Sequence, residues 1–253
     1  MPTASVRIGL TLLLGLGGAV VAVAIGVPLP WMLGPMILVT LAALAGAPLQ
    51  PPIALRKVMV PVIGVLLGSG FHPSLLEAPS TWLVPLAFLP VFIALAFAAA
   101  YAVFRYMAGF DRVTAYFAAA PGGLNDMMIL GGEAGGSERR IALAHATRIL
   151  VVVSAVSLFY GLFLSVQTSD AGPTYVAFAA IPLPDLAILG ACAVLGAWAA
   201  PRLHLPAPQI LGPMILSAIV HLTGLTDAPP PTLIVNAAQL VMGSVVGCRF
   251  LGV

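Results

Sequence analysis

Charge is what this sequence has least of. Only 7% of its 253 residues are charged, against about 25% in an ordinary soluble domain, while 61% are hydrophobic. A soluble fold of this size must cover its surface with polar groups, and this chain does not carry them. The formal net charge is +2 and no basic run exceeds two residues, which leaves no electrostatic footprint for nucleic acid. Cysteine is almost missing as well. Cys192 and Cys248 lie in apolar runs with no CxxC pattern, so metal or redox chemistry has no support and no disulfide is required. His72, His204 and His221 are scattered without ligand spacing. No glycine-rich phosphate loop follows a strand and no serine or cysteine nucleophile motif occurs. The sequence therefore predicts no cofactor, no metal and no catalytic residue.

What is there is apolar and rich in helix breakers. The 26 glycines and 23 prolines are tolerable in a membrane, where neighbouring helices and watery cavities satisfy the freed backbone groups. Stretches such as Gly15 to Ala19 suit close helix packing. Roughly 20 residues are needed to cross about 30 Å of hydrocarbon. Crossings are expected near 8–26, 29–46, 56–71, 82–104, 141–165, 183–200, 207–224 and 233–250. The predicted fold class is all-α, a polytopic transmembrane helical protein in the lipid bilayer. Arg7 with Ala22-Val23-Ala24 has the look of a signal peptide, but a later counterpart of this segment favours a retained helix.

A further apolar segment, 113–136, is broken by Pro121-Gly122-Gly123. Whether it crosses or turns back is decided by the excess of Lys and Arg in cytoplasmic loops. With a cytoplasmic N-terminus and 113–136 as a re-entrant hairpin, Arg7, Arg56, Lys57, Arg105, Arg112, Arg139, Arg140, Arg202 and Arg249 share the cytoplasmic side. The loops near 72–81, 166–182 and 225–232 carry no Lys or Arg and fall outside. Were the segment to cross, Arg139, Arg140, Arg202 and Arg249 would move outside. The re-entrant arrangement, in a multi-pass protein of a bacterial inner membrane, is the one expected.

The chain also repeats itself. Leu33-Gly34-Pro35-Met36-Ile37-Leu38 recurs as Leu211-Gly212-Pro213-Met214-Ile215-Leu216, flanked by Pro30 and Pro208, Gly46 and Gly224, Gly18 and Gly196. After a one-residue slip, Gly64, Gly68 and Phe71 match Gly243, Gly247 and Phe250. Collinear matches on both sides point to a duplication. The first repeat unit is 1–178, five crossings plus the hairpin; the second, 179–253, is incomplete, with three crossings. Five crossings before the second unit make it start from the opposite side, so the repeats are expected to be inverted, as in many secondary transporters. No counterpart of 82–165 follows. Either a partner chain, including a second copy in a homo-oligomer, supplies it, or the protein is a shortened version of a longer one.

Several residues are candidates for binding a small-molecule solute. Proline favours a first helical turn, so Gly34-Pro35 and Gly212-Pro213 are expected to start half-helices whose positive ends converge on an anion; the alternative is two kinked helices packed through glycine. Pro121, Gly122, Gly123, Asn125 and Asp126 place a turn and two polar side chains inside an apolar segment, where an ionisable group needs a partner or water. The alternative is a surface turn. His145 and Arg148 share a helix face, and Arg148 lies about 12 Å along the helix from Arg140 at 1.5 Å per residue. Asp126 or Glu133 is its expected partner, as a structural ion pair or within a binding site. His145 is a packing residue or a proton carrier.

With Pro30-Trp31-Met32-Leu33-Gly34-Pro35, Gly64 to Phe71, Pro121 to Met127, and His145 with Arg148, the sequence resembles the AbrB membrane protein family. Its members are labelled "ammonia monooxygenase" or "AbrB family transcriptional regulator", and it is distinct from the soluble DNA-binding proteins of the same name. The resemblance implies a duplicated unit similar to cation–proton antiporters and anion transporters, with a second hairpin and closing helix that this sequence lacks. Three functions follow: a secondary transporter or transporter-derived protein for a small anionic solute, a membrane-embedded regulator of gene expression acting through a partner, and a monooxygenase. The last needs an oxygen-handling cofactor that no ligand cluster here would hold, so no enzyme activity is expected.

Overall fold

The computed structural model describes residues 3–77, 80–163 and 175–252, and the described residues form helices and loops without strands. The principal helices are α1 (Ala4–Ala24), α2 (Pro30–Leu44), α3 (Ile53–Gly68), α4 (Ser80–Ala102), α5 (Arg112–Ala119), α6 (Leu124–Glu133), α7 (Glu138–Phe163), α8 (Leu183–Ala199), α9 (Pro208–Leu222) and α10 (Thr232–Gly247). Each expected crossing falls on one longer helix, and 113–136 falls on the short pair α5 and α6. Among the described residues, four stretches are long and apolar enough to cross a membrane: Ala4–Ala24, Trp82–Met107, Glu138–Phe159 and Thr232–Phe250. Helices α2, α8 and α9 are apolar but shorter. At 15 residues, α2 and α9 rise about 22 Å, less than the hydrocarbon thickness.

The two duplicated helices do not begin where the proline pairs predict. α2 starts at Pro30 and α9 at Pro208, so Pro35 and Pro213 lie inside their helices. The reason is local: Leu29 and Ala207 adopt left-handed conformations, φ 50° and 44°, which turn the chain into helix ahead of the first proline. That conformation costs a non-glycine residue roughly 1–2 kcal/mol, and both copies carry it at the same place. Pro30 and Pro208 then occupy a first turn, where a missing N–H is harmless. Gly46 and Gly224, at φ 80° and 70°, end the two helices in the left-handed turn that glycine takes without strain.

Compactness divides the chain into one unit of Met1–Leu75 with Val153–Val253 and another of Leu76–Val152. This cuts across the sequence repeats, because α1–α3 pack on α8–α10. Within the first unit α1 packs on α2 and α8 on α9; α2 packs on α10 and α9 on α3; α1 packs on α10 and α8 on α3; and α3 meets α10. Exchanging α1, α2, α3 for α8, α9, α10 leaves this set of contacts unchanged. The glycines repeat the exchange atom by atom. Gly18 lies against the Gly34 backbone as Gly196 lies against that of Gly212. Gly64 meets Ile210 and Pro213, while Gly243 meets Met32 and Pro35. A side chain at any of these would drive into backbone. The pairings also give direction: Gly64 with Pro213 and Gly68 with Ser217 make α3 and α9 parallel, and Gly243 with Pro35 and Gly247 with Val39 make α2 and α10 parallel. Gly15 with Ser244 and Thr11 with Cys248 make α1 and α10 antiparallel.

The second unit holds α4, a π-helical turn at Val103–Met107, α5, α6 and the first part of α7. Asp111 caps α5, its Oδ1 accepting from the Thr114 amide at 2.9 Å. Bonds from the Thr114 side chain and then its amide hold the Asp111 carboxyl below its ordinary range. Thr114, buried, accepts in turn from the Ser137 amide at 2.9 Å, and Gly136 lies against Val113 and Thr114. The chain thus leaves α6 beside the point where it entered α5. The segment 113–136 is a closed helical hairpin.

Candidate functional site

The hairpin breaks where proline requires it to. Pro121 disfavours helical geometry at the residue before it, and Ala120 is extended at φ −55°, ψ 133°. Gly123 is extended too, and α6 starts again at Leu124. The break therefore presents the last carbonyls of α5 and the first amides of α6, groups that a helix cannot satisfy internally. Asp126 occupies the first turn of α6, where the dipole favours a carboxylate; its side chain lies beside Gly123 and is exposed. The side chain of Asn125 lies outside the described residues.

From α7, Arg148 reaches the break. Its guanidinium donates to the carbonyls of Ala119 at 3.3 Å and Ala120 at 3.4 Å, and to His145 Nδ1 at 2.9 Å. His145, 1% exposed, places Nε2 at 2.9 Å from the Phe117 carbonyl. These partners fix its proton. A guanidinium only donates and a carbonyl only accepts, so Nδ1 is the acceptor and Nε2 carries hydrogen. With these partners His145 takes the neutral Nε2–H tautomer, and both ring nitrogens help hold α7 against α5.

Arg148 was expected to pair with Asp126 or Glu133, and the structure corrects this: its bonds go to the end of α5 and to His145, while both carboxylates are exposed. The negative end of a helix dipole attracts a cation without burying a second ion, which costs less than desolvating a carboxylate beside it. The shared face of His145 and Arg148 was readable from their spacing. Carbonyl partners were not, since every residue has one.

A groove of about 840 Å³ runs along the same break, lined by Leu86, Pro90 and Phe97 of α4 with Ala120, Pro121 and Met127. Its walls are apolar and it reaches the proline. Among the described residues no group of three or more His, Cys, Asp or Glu side chains could hold a metal ion.

The other sequence-predicted residues lie in the first unit. Gly34, Pro35, Gly212 and Pro213 are buried and form the helix seams described above. With α2 and α9 starting five residues earlier, these pairs open no half-helix; they lie inside continuous helices packed closely through glycine. A residue the sequence did not single out sits at that seam: the Ser244 hydroxyl, buried beside Gly15, has no hydrogen-bond partner. A serine inside an apolar run gives no warning of this.

The family model described as "Transition state regulatory protein AbrB" matches residues 31–253. "Uncharacterized protein YhjN" of Bacillus subtilis (strain 168) is 29% identical over 224 residues, covering 82% of this chain and 58% of that protein. "Putative regulator AbrB" of Escherichia coli (strain K12) is 24% identical over 242 residues, covering 95% of this chain and 68% of that protein. The chain thus spans little more than half the length of the first relative and about two thirds of the second. No solved structure matches it.

Proposed function

The chain belongs to the AbrB family, and on that premise we propose that it is a multi-pass inner-membrane protein, a secondary transporter or transporter-derived protein that binds a small anionic solute at the hairpin break. The observation that carries this is Arg148 reaching from α7 to the ends of Ala119 and Ala120. A guanidinium has five N–H donors, and the bonds it makes here leave donors over for a carboxylate or similar anion. The amides opening α6 face the same break, so charge and hydrogen bonds favour an anion there. Asp126 at that helix start repels an incoming anion unless a proton or cation accompanies it, an arrangement suited to co-transport.

The membrane arrangement belongs to the same reading. The N-terminus is cytoplasmic, the hairpin is re-entrant, and the two repeats are inverted. The Thr114–Ser137 closure supports re-entrance, because both hairpin ends emerge together. The parallel pairings of α2 with α10 and of α3 with α9 support inversion. No residue of Trp82–Met107 is buried by protein, which suits a helix covered by lipid. No catalytic role is assigned.

Solute-dependent thermal stabilisation of the purified protein tests this, with small organic anions and cations screened beside Asp126→Asn and Arg148→Ala. An anion that stabilises the native chain and neither variant is the expected result. Absence of stabilisation by any solute, with unchanged flux after reconstitution, would overturn it. The second reading, a membrane-embedded regulator acting through a soluble partner, is favoured by the name of the Escherichia coli relative. Its test is a change of gene expression on deletion that the native chain rescues and a partner-recovery experiment explains.

A further inference from the structure

The groove beside the hairpin and the break at its tip share their walls. Ala120 lines the groove, while its carbonyl accepts from Arg148 at 3.4 Å. Met127 lines the groove too, and its side chain lies over Gly122, where a Cβ would come within 2.9 Å of the Met127 methyl. An occupant of the groove therefore ends at the break, and a solute held at the break has the groove as its continuation.

The remaining walls are apolar and largely aromatic. On α4, Leu86, Pro90, Ala94 and Phe97 recur at helical spacing and share one face. α4 packs on α5, where the Phe97 ring meets Tyr116 edge-on with centroids 5.4 Å apart, and Tyr116 meets Phe117 at 5.3 Å. These three rings line the groove and also a second cavity of about 380 Å³, nearer Arg112 at the start of α5. The size argues for a body larger than an anionic group alone. About 840 Å³ lies within the roughly 300–1,000 Å³ that takes a drug-sized organic ligand, and a cavity of about 150 Å³ is enough for benzene. A bare carboxylate at Arg148 would leave the groove to lipid. One attached to a ring would bury that ring among Phe97, Tyr116 and Phe117, where edge-on and offset contacts favour a flat body.

Resting on the reading of the break as an anion site, we propose that its substrate class is an organic anion with an aromatic body. The carboxylate meets Arg148 at the break, and the ring lies in the groove between α4 and the hairpin. The test is thermal stabilisation of the full chain in phosphatidylcholine nanodiscs by acetate, cinnamate and the uncharged cinnamamide. Cinnamate is expected to act at concentrations about thirty-fold below acetate, from burial of the ring, and about ten-fold below cinnamamide, from the charge. Ala94→Trp adds an indole to the groove from an exposed position of α4. It is expected to remove the advantage of cinnamate and leave the response to acetate unchanged. Equal potency of acetate and cinnamate overturns this assignment and leaves the anion site standing. Equal potency of cinnamamide and cinnamate also overturns it, because the groove then takes apolar bodies as it would take lipid. An advantage for cinnamate that survives Ala94→Trp puts the ring elsewhere and overturns it as well; should that variant not fold, the native chain with the three solutes decides. No response to either anion overturns the anion site and the substrate class together.

Discussion

The two helix triplets with matching sequence and contacts, α1–α3 and α8–α10, agree where backbone touches backbone and differ where polar side chains hold loops. Gly18 with Gly34 and Gly196 with Gly212 make the same crossing twice. The loop after α2 is fastened from the neighbouring helix by Thr11, whose hydroxyl donates to the Arg7 carbonyl within α1 and accepts from the Gln50 amide at 3.1 Å. The matching loop after α9 is fastened from within its own helix. His221, fully buried, has Nδ1 at 2.7 Å from the Ser217 carbonyl and Nε2 at 3.3 Å from that of Ala228. A close helix crossing has one solution, glycine, so both copies keep it. A loop can be tied from either side, so each copy found its own anchor.

The largest test of that contrast is at the crossings. Gly34→Ala and Gly212→Ala each set a methyl into the carbonyl of a glycine on the facing helix, which no rotamer can relieve. Each is expected to cost about 3 kcal/mol or more in detergent-solubilised protein, measured by thermal or denaturant unfolding. If one copy tolerates the change and the other does not, the equivalence of the crossings fails. A middle-sized effect is expected at the anchors. Thr11→Val and His221→Leu should each cost about 1–2 kcal/mol, with faster amide exchange confined to the loop after α2 in the first and after α9 in the second. Exchange that rises equally in both loops would dissolve the distinction. The smallest effect concerns Ser244, whose position in the first copy is taken by Val65. Ser244→Ala removes a hydroxyl without a partner and is expected to leave stability unchanged or raise it by up to about 1 kcal/mol. A clear loss would mean the hydroxyl has a role in that seam.

Much of this architecture was legible because it is written in residue types with narrow uses. Apolar length located the helices, and repeated glycines located the seams. Pro121 located the break in the hairpin, since it dictates the conformation of Ala120. The half-helix reading of Pro35 and Pro213 failed because Leu29 and Ala207 carry the turn into α2 and α9, and neither residue type announces a left-handed conformation. Arg148 was assigned a carboxylate because charge is visible in a sequence and helix ends are not. Thr11, a lone hydroxyl in an apolar run, gave no sign that three segments meet at it.

The interlocking of the copies has a consequence for how the protein is made. The Ser217 hydroxyl donates to the Val65 carbonyl across 152 residues of chain, and the rest of the α3–α9 seam spans a similar separation. At about 5–20 residues per second, α3 waits roughly 8–30 seconds on the ribosome before the helix that completes it exists. Through that interval its glycine face is open to other helices and to lipid. The slow event in biogenesis is therefore the late arrival of α8–α10, and a membrane chaperone that shields a small-residue face would act on α3 before any other helix.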